Sequence, residues 1–239
     1  STNAITSKKG EMYLPQAGHW AIRMDATPWL PSFGTFYHGN GFTAAPTTEY
    51  PNGNQTIMGK YYVNANTAYR ALVRIGFSST SQTNEVDTNS IAGHAPSYLE
   101  DKLSTSSHFI GLGAGIEKRR GSTRLQGYYG AELMFFLSGN SSTYTYGDAY
   151  SATNPNPIWT NNFTTGSTSV GLPRPTAITA GSTFGVNAAA FIGVEYFILP
   201  KISIGGEFTW GISFQSTGSG SSTTETLNSS NTDVTVTSK

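Results

Sequence analysis

The residues able to do chemistry in this chain are charges on alternating segments: Arg23, Asp25, Lys60, Arg70 and Arg74 early on, and Glu117, Glu132, Glu195 and Glu207 later. Glu195 and Glu207 flank a turn and can face one way, a paired-carboxylate geometry that glycoside hydrolysis also uses. Gathered into one enclosed space with the cations, the same carboxylates would neutralise them instead, because an unpaired buried charge is costly. A path for protons or ions is the other functional use of such a set. The expectation is an interior network of ion pairs, basic on one side and acidic on the other.

Other candidate motifs fail on spacing. Gly111-Leu-Gly-Ala-Gly115 lacks the G-x-G-x-x-G pattern of a dinucleotide loop, and Glu117-Lys-Arg-Arg120 follows it where a helix should begin. The histidines, His19, His38, His94 and His108, have no H-E-x-x-H or comparable metal-ligand spacing. Ser106-Ser107-His108 pairs a nucleophile type with a base type, as a barrel-embedded lipase would, but no orienting acid or nucleophile elbow accompanies it. Asn54-Gln-Thr56, Asn140-Ser-Ser142, Asn162-Phe-Thr164 and Asn228-Ser-Ser230 fit the glycosylation pattern by chance in a chain so rich in Asn, Ser and Thr. No catalytic, cofactor or metal site is expected, and the chain is not read as an enzyme.

What must position the charges is a set of β-strands. Phe184, Val186, Ala188, Ala190, Ile192, Val194 and Tyr196 line one face, and after Leu199-Pro200 the pattern resumes with Ile202, Ile204, Gly206, Phe208, Trp210, Ile212 and Phe214. The opposite face carries Gly, Ser, Ala and Asn with Glu195 and Glu207. Residues paired across a hairpin share a face, so this is two long antiparallel strands around a tight turn. Leu125–Ser138, Ile110–Glu117 and Tyr69–Ser78 repeat the rule, and Thr56–Val63 and His19–Thr27 follow it more weakly. Gly111, Gly113 and Gly115 then read as small residues on the polar face.

Such alternation suits a soluble sandwich or barrel, or a membrane barrel with its apolar face toward lipid. Charged residues are only 12% of the chain, about half the ordinary share of roughly 25%, and a conventional charged surface cannot be built from them. The polar face, crowded with small residues, fits the inside of a narrow barrel. Connections alternate in length. Those at Asn64–Thr67, Arg119–Thr123 and Leu199–Pro200 are short, whereas Pro31–Asn54, Ser79–Thr105 and Gly139–Ser182 are long, as in barrels with short periplasmic turns and long extracellular loops. Tyr61, Tyr62, Tyr69 and Tyr196 lie near the short turns, where an interfacial aromatic girdle would sit, and Trp20, Trp29, Trp210 and Phe214 can serve similarly.

The reading is therefore one all-β domain over residues 1–239, an antiparallel up-and-down transmembrane β-barrel of about eight strands. Residues 1–17 form a polar periplasmic tail, and the chain resides in the outer membrane. The strand ending near Phe214 needs a returning partner. Asp233–Ser238 has β character but would make a poor lipid-facing strand, so the closing strand is expected past Lys239 or from a partner chain. With Lys plus Arg at 14 and Asp plus Glu at 14 the net charge is zero, so no nucleic-acid partner is expected. Cysteine is absent, which excludes disulfides and thiolate metal sites. Tyr144, Tyr146, Tyr150, Trp159 and Phe163, set among Ser, Asn and Gly in the longest loop, are expected to form an exposed partner-binding surface.

Met24-Asp-Ala-Thr-Pro-Trp-Leu30 with Phe33-Gly-Thr-Phe36, and Gly59-Lys-Tyr-Tyr-Val63 with Asn66-Thr-Ala-Tyr-Arg-Ala71, resemble segments of small outer-membrane barrel proteins of the Bacteroidota. Those proteins are similar in architecture to the OmpA-like transmembrane barrel. The resemblance covers roughly residues 19–215 and implies outer-membrane residence, contact with its lipids and a non-catalytic place as anchor or accessory subunit among envelope proteins. It brings no catalytic residues. The alternative expectation is a narrow channel or transporter for a small or apolar solute.

Overall fold

The computed structural model describes residues 5–24, 55–88, 96–227 and 233–238. Asp25 and the expected first outer loop at 31–54 lie outside the described residues. The described chain is all-β: β1 (Trp20–Met24), β2 (Gln55–Asn64), β3 (Thr67–Asp87), β4 (Tyr98–Arg120), β5 (Leu125–Thr145), β6 (Ile158–Asn162), β7 (Ser167–Val170), β8 (Arg174–Thr179), β9 (Thr183–Leu199), β10 (Ile202–Thr217), β11 (Ser221–Leu227) and β12 (Asp233–Ser238). Antiparallel up-and-down strands make a ten-stranded sheet in which β1 to β5 are neighbours in order, β9 lies on β5, and β10 lies on β9. The strands β8, β11 and β12 continue from β5 along a second path, and β6 and β7 pair apart. The chain divides into two compact units.

The first unit takes 1–76, 109–137 and 184–216. Its register is set by the alternation. Trp20 faces Tyr61, which faces Tyr69, and Lys60 faces Arg70, so residues paired across the strands share a face. Short turns join the strands. The Asn64 carboxamide oxygen accepts from the Asn66 amide at 2.9 Å. In the β9–β10 hairpin Pro200 is followed by Lys201 at φ 66°. Proline and then a positive φ at the two central positions is the type II arrangement. Of the residues expected to be a polar tail, 5–17 are described and make defined contacts. The Ser7 hydroxyl accepts from the Glu11 amide at 3.2 Å, Tyr13 is buried, and the Arg124 guanidinium stacks 3.6 Å from its ring centre. Tyr13 had no partner visible in its local pattern, and the short turn before β5 supplies one.

The second unit takes 77–108, 138–183 and 217–239. Here stretches expected to be loops are strand. β3 runs to Asp87, β4 begins at Tyr98 and β5 runs to Thr145. Their stabilisation is by hydroxyls rather than apolar alternation: Thr105 bonds Ser142 at 3.1 Å and Ser106 bonds Ser141 at 3.0 Å. A pattern reading based on hydrophobic period two could not find them. The C-terminal segment forms the β11–β12 hairpin, and β11 pairs with β8, from Ser221 opposite Thr179 to Glu225 opposite Arg174.

The segment between β5 and β8 is an ordered small core, which corrects the expectation of exposed aromatics. Tyr150 and Trp159 are buried, and Tyr144, Tyr146 and Phe163 are half-buried and in mutual ring contact. The reason is that three of the polar tips find backbone carbonyls. The Trp159 indole donates to Gly171 at 2.8 Å, the Tyr146 hydroxyl to Pro175 at 2.7 Å, and the Tyr150 hydroxyl to Leu172. Arg174, buried and paired with Glu225, sits over the rings of Tyr146 and Tyr150 at 4.3 and 4.8 Å. Burial pushes both hydroxyls above the usual tyrosine range, and the Arg174 charge opposes it.

Asp101 ties this core to β4. Fully buried, it accepts from the Gly147 amide at 2.9 Å and the Thr160 amide at 2.7 Å. Asp101→Ala leaves both donors without acceptors, at about 1–3 kcal/mol for each buried group. The expected outcome is faster protease cleavage between residues 147 and 160, measured by limited proteolysis against the unaltered chain. Unchanged cleavage would mean that these bonds do not hold the segment.

Candidate functional site

The inner face of the first unit gathers the charged residues into one network. Even-numbered positions of β2 and β3 and odd-numbered positions of β4 turn to the same side, because a strand alternates faces at every residue. Arg70 on β3 is the hub. Its guanidinium reaches Glu117 on β4 at 3.4 Å, Glu132 on β5 at 3.3 Å and Glu207 on β10 at 2.6 Å, and it lies 3.7 Å from the centre of the Phe191 ring on β9. Only 2% of Arg70 is exposed, and none of Glu117.

The remaining pairs branch from those carboxylates. Arg23 on β1 meets Glu207 at 2.6 Å and donates to the Tyr128 hydroxyl at 3.1 Å. Lys60 meets Glu117 at 2.8 Å above the Tyr128 ring. Arg119 bridges Glu117 at 3.0 Å and Glu195 at 2.8 Å, donates to the Tyr62 hydroxyl at 3.2 Å, and lies over the rings of Tyr62 and Phe197. The Ser203 hydroxyl donates to Glu195. Four cations, Arg23, Lys60, Arg70 and Arg119, therefore face four carboxylates, Glu117, Glu132, Glu195 and Glu207, with no charge left over.

Of the nine charged residues singled out in the sequence, seven enter this network. Arg74 does not. Its guanidinium lies 5.0 Å from the Phe109 ring centre, and among the described residues it has no carboxylate partner. Asp25 lies outside the described residues. Arg119 was assigned to a turn, and the structure corrects this. β4 continues through Arg120, so Arg119 shares a face with Glu117 two residues earlier. That parity was the available signal. It also breaks the division into a basic early half and an acidic late half. Tyr62 is corrected too: adjacent to Tyr61, it must take the opposite face, and it is buried beside Arg119 rather than in an outer girdle.

Both carboxylates of the paired motif are engaged within the network, Glu195 by Arg119 and Ser203, and Glu207 by Arg23 and Arg70. His19 accepts from the Gln16 amide at 3.1 Å through Nδ1, His108 packs against Gly139, and His38 and His94 lie outside the described residues. Among the described residues no three acidic or histidine side chains come together as a metal site. Small residues make room for the network. A Cβ on Gly193 would come 2.4 Å from the Tyr128 ring, and one on Gly115 2.7 Å from Glu132. Compared with family models, curated proteins and solved structures, the chain matches none.

Removing the hub should be far worse than removing the cation outside the network. Arg70→Met leaves three carboxylates short of a partner, and breaking a buried pair from one side costs about 3–5 kcal/mol. Arg74→Met deletes no ion pair and keeps an apolar contact with Phe109. Denaturant unfolding followed by tryptophan fluorescence should show a large fall in midpoint for the first variant and a small one for the second. Equal midpoints would remove Arg70 from its central place.

Proposed function

We propose that this chain is an outer-membrane β-barrel protein whose interior is filled by ion pairs, acting as a non-catalytic anchor or accessory subunit of an envelope complex. One observation carries the reading: the polarity of the first unit is inverted. Of the network charges Lys60, Arg70, Glu117 and Arg119 are buried and Arg23, Glu132, Glu195 and Glu207 partly buried, while Ile22, Leu112, Ile192, Val194, Ile204, Phe208 and Trp210 point away from them and are exposed, Phe208 at 70% and Trp210 at 68%. Soluble proteins rarely expose contiguous apolar patches above a few hundred Å², and water is a poor neighbour for this face. Hydrocarbon is a good one.

Aromatic placement supports the same reading. Trp20, Tyr61 and Tyr69 form a ladder across β1, β2 and β3 at their turn ends, with the rings of Trp20 and Tyr61 centred 4.9 Å apart. Amphipathic rings at this level suit a membrane–water boundary. Lys118, on the outward face beside the turn, reaches back to the Thr67 hydroxyl at 3.0 Å, as a snorkelling lysine would. Carboxylates each engaged by a cation support anchoring rather than conduction, since a permeant ion would have to compete with those pairs. The long segment 139–182 remains the part proposed to meet an envelope partner. Its buried aromatics would set the shape of that surface, and its outward Asn, Ser and Thr would make the contacts.

Val194→Arg should cost about 2–4 kcal/mol if Val194 lies near a bilayer midplane, while Gln215→Arg on the other face should be mild. Folding yield into lipid vesicles, read by protease protection, distinguishes the two. Equal tolerance at both positions, or a chain that stays dispersed in water without detergent, would defeat the reading. Planar bilayers containing the protein should carry no steady pore current.

A further inference from the structure

Apart from Arg74, the described cations of the first unit that stay outside the network collect at its short-turn end. Lys8 and Lys9 lie in the turned segment before β1, Lys118 and Arg120 stand at the end of β4, Arg124 precedes β5, and Lys201 is in the β9–β10 turn. Contacts between the turns hold these positions together: the Arg119 amide donates to Asn66 at 2.9 Å, the Phe197 amide to Arg124 at 3.0 Å, and the Arg124 guanidinium stacks on Tyr13. Among the described residues of this unit Glu11 is the one carboxylate outside the network, and no ion pair takes any of the six cations. A chain of zero net charge therefore carries a cationic rim here, with all but Arg124 exposed.

From this rim a groove of about 580 Å³ crosses the outward face, lined by Arg120, Tyr129, Ile192, Val194 and Phe208 with Gly127 and Gly206. Arg120 is the last residue of β4, Gly127 the third of β5 and Gly206 the fifth of β10, so the groove starts at the turn end and leads away from it. Packing does not demand its glycines. A Cβ on Gly206 would meet nothing within 4 Å, and one on Gly127 only the Arg120 carbonyl oxygen at 3.7 Å. On the opposite face a Cβ on Gly193 would come 2.4 Å from Tyr128, and one on Gly205 2.3 Å from the Val194 carbonyl oxygen. Gly206 sits between the exposed Ile204 and Phe208 on a face otherwise rich in large side chains, and it leaves space there that no residue of the sheet uses.

We propose that the groove and its rim bind one anionic glycerophospholipid, its phosphate on Arg120 and an acyl chain laid along Val194 and Phe208 past Gly206. The inference rests on the membrane reading. Charge selects the headgroup. Arg120 is exposed, has no carboxylate of its own among the described residues, and presents the forked N–H donors that suit phosphate oxygens. The other rim cations favour a headgroup of net negative charge over one that brings its own cation. Trp20, Tyr61 and Tyr69 stand at the same turn end, the level at which headgroups meet hydrocarbon. Shape selects the tail. From β4 through β5 and β9 to β10 the groove crosses three strand spacings, about 14 Å, close to half of a hydrocarbon core roughly 30 Å thick. A protein strand laid here would find no free backbone groups, since β5 and β9 have partners on both sides.

The test reconstitutes the whole chain into phosphatidylcholine vesicles doped with a lipid that carries a photoactivatable diazirine on its tail, either phosphatidylglycerol or phosphatidylcholine. After irradiation the labelled segments are mapped by mass spectrometry. Phosphatidylglycerol should concentrate at Ile192–Val194 and Gly206–Phe208, whereas phosphatidylcholine should spread over the outward face, Ile110–Ile116 included. Arg120→Gln should lower the phosphatidylglycerol label in the groove about fivefold, the weight of one cation at an anionic surface. Gly206→Leu fills the groove and keeps Arg120, and it should remove that label while sparing Ile110–Ile116. Excess glycerol phosphate, which has the headgroup chemistry without the tail, should not compete. Even labelling by the two lipids, a groove label unchanged in both variants, or displacement by glycerol phosphate would each overturn the proposal and leave the membrane reading standing. Absence of label from both lipids over the whole outward face would overturn the membrane reading and this site with it.

Discussion

Arg70 carries the constraint on which the first unit depends. A guanidinium taken out of water loses hydration worth several kcal/mol even after relaxation, and it recovers that only with excellent geometry. Here three carboxylates from β4, β5 and β10 supply it, with the Phe191 ring beneath the plane. Those strands are distant in sequence, so the network closes only when β3, β4, β5, β9 and β10 hold one register. A one-residue slip of any of them would turn its charge to the apolar side. The ion pairs are thus weak evidence for high stability and stronger evidence for a specified fold: the cost of a misplaced charge exceeds the gain from a correct one.

The exposed apolar face and the buried network express one choice. Once small residues such as Gly115 and Gly193 leave room on one face, the large side chains occupy the other, and charge can be enclosed only where the room is. Gly113 and Gly130 repeat the device, since a Cβ on Gly113 would meet the Leu133 carbonyl oxygen at 2.9 Å. Aromatic rings also accept the cations face-on, which lowers the cost of enclosing four of them in so small a volume.

Where apolar alternation is strong, the fold was legible from residues alone. Phe184–Phe214 is the clearest case, and β9 and β10 occupy it. Seven of the eight network residues were legible for the same reason: charge on a face otherwise made of glycine and alanine has few places to go. Arg119 was missed because the Gly-Ser-Thr run after it suggested that the strand had ended, although its parity with Glu117 is unbroken. The hydroxyl-rich extensions of β3, β4 and β5 were missed because Ser and Thr give no hydrophobic period, and their pairing is visible only as contacts such as Thr105 with Ser142. Tyr150 and Trp159 show a further limit. Composition marks an aromatic cluster, but whether it turns inward depends on distant carbonyls, those of Leu172 and Gly171, which no local pattern announces.

Soluble edge strands are commonly blunted by charge, proline or a bulge. Between Ile202 and Thr217 the one charge of β10 is Glu207, and that is drawn to Arg23 and Arg70. Its outward side chains are Ile204, Phe208, Trp210, Ile212 and Phe214, the composition of a strand that expects neighbours on both sides. β1 is short, and its exposed side chains, Trp20, Ile22 and Met24, have the same character. Arg23, reaching from β1 to Glu207 on β10, ties together two strands that both present apolar side chains on the other face.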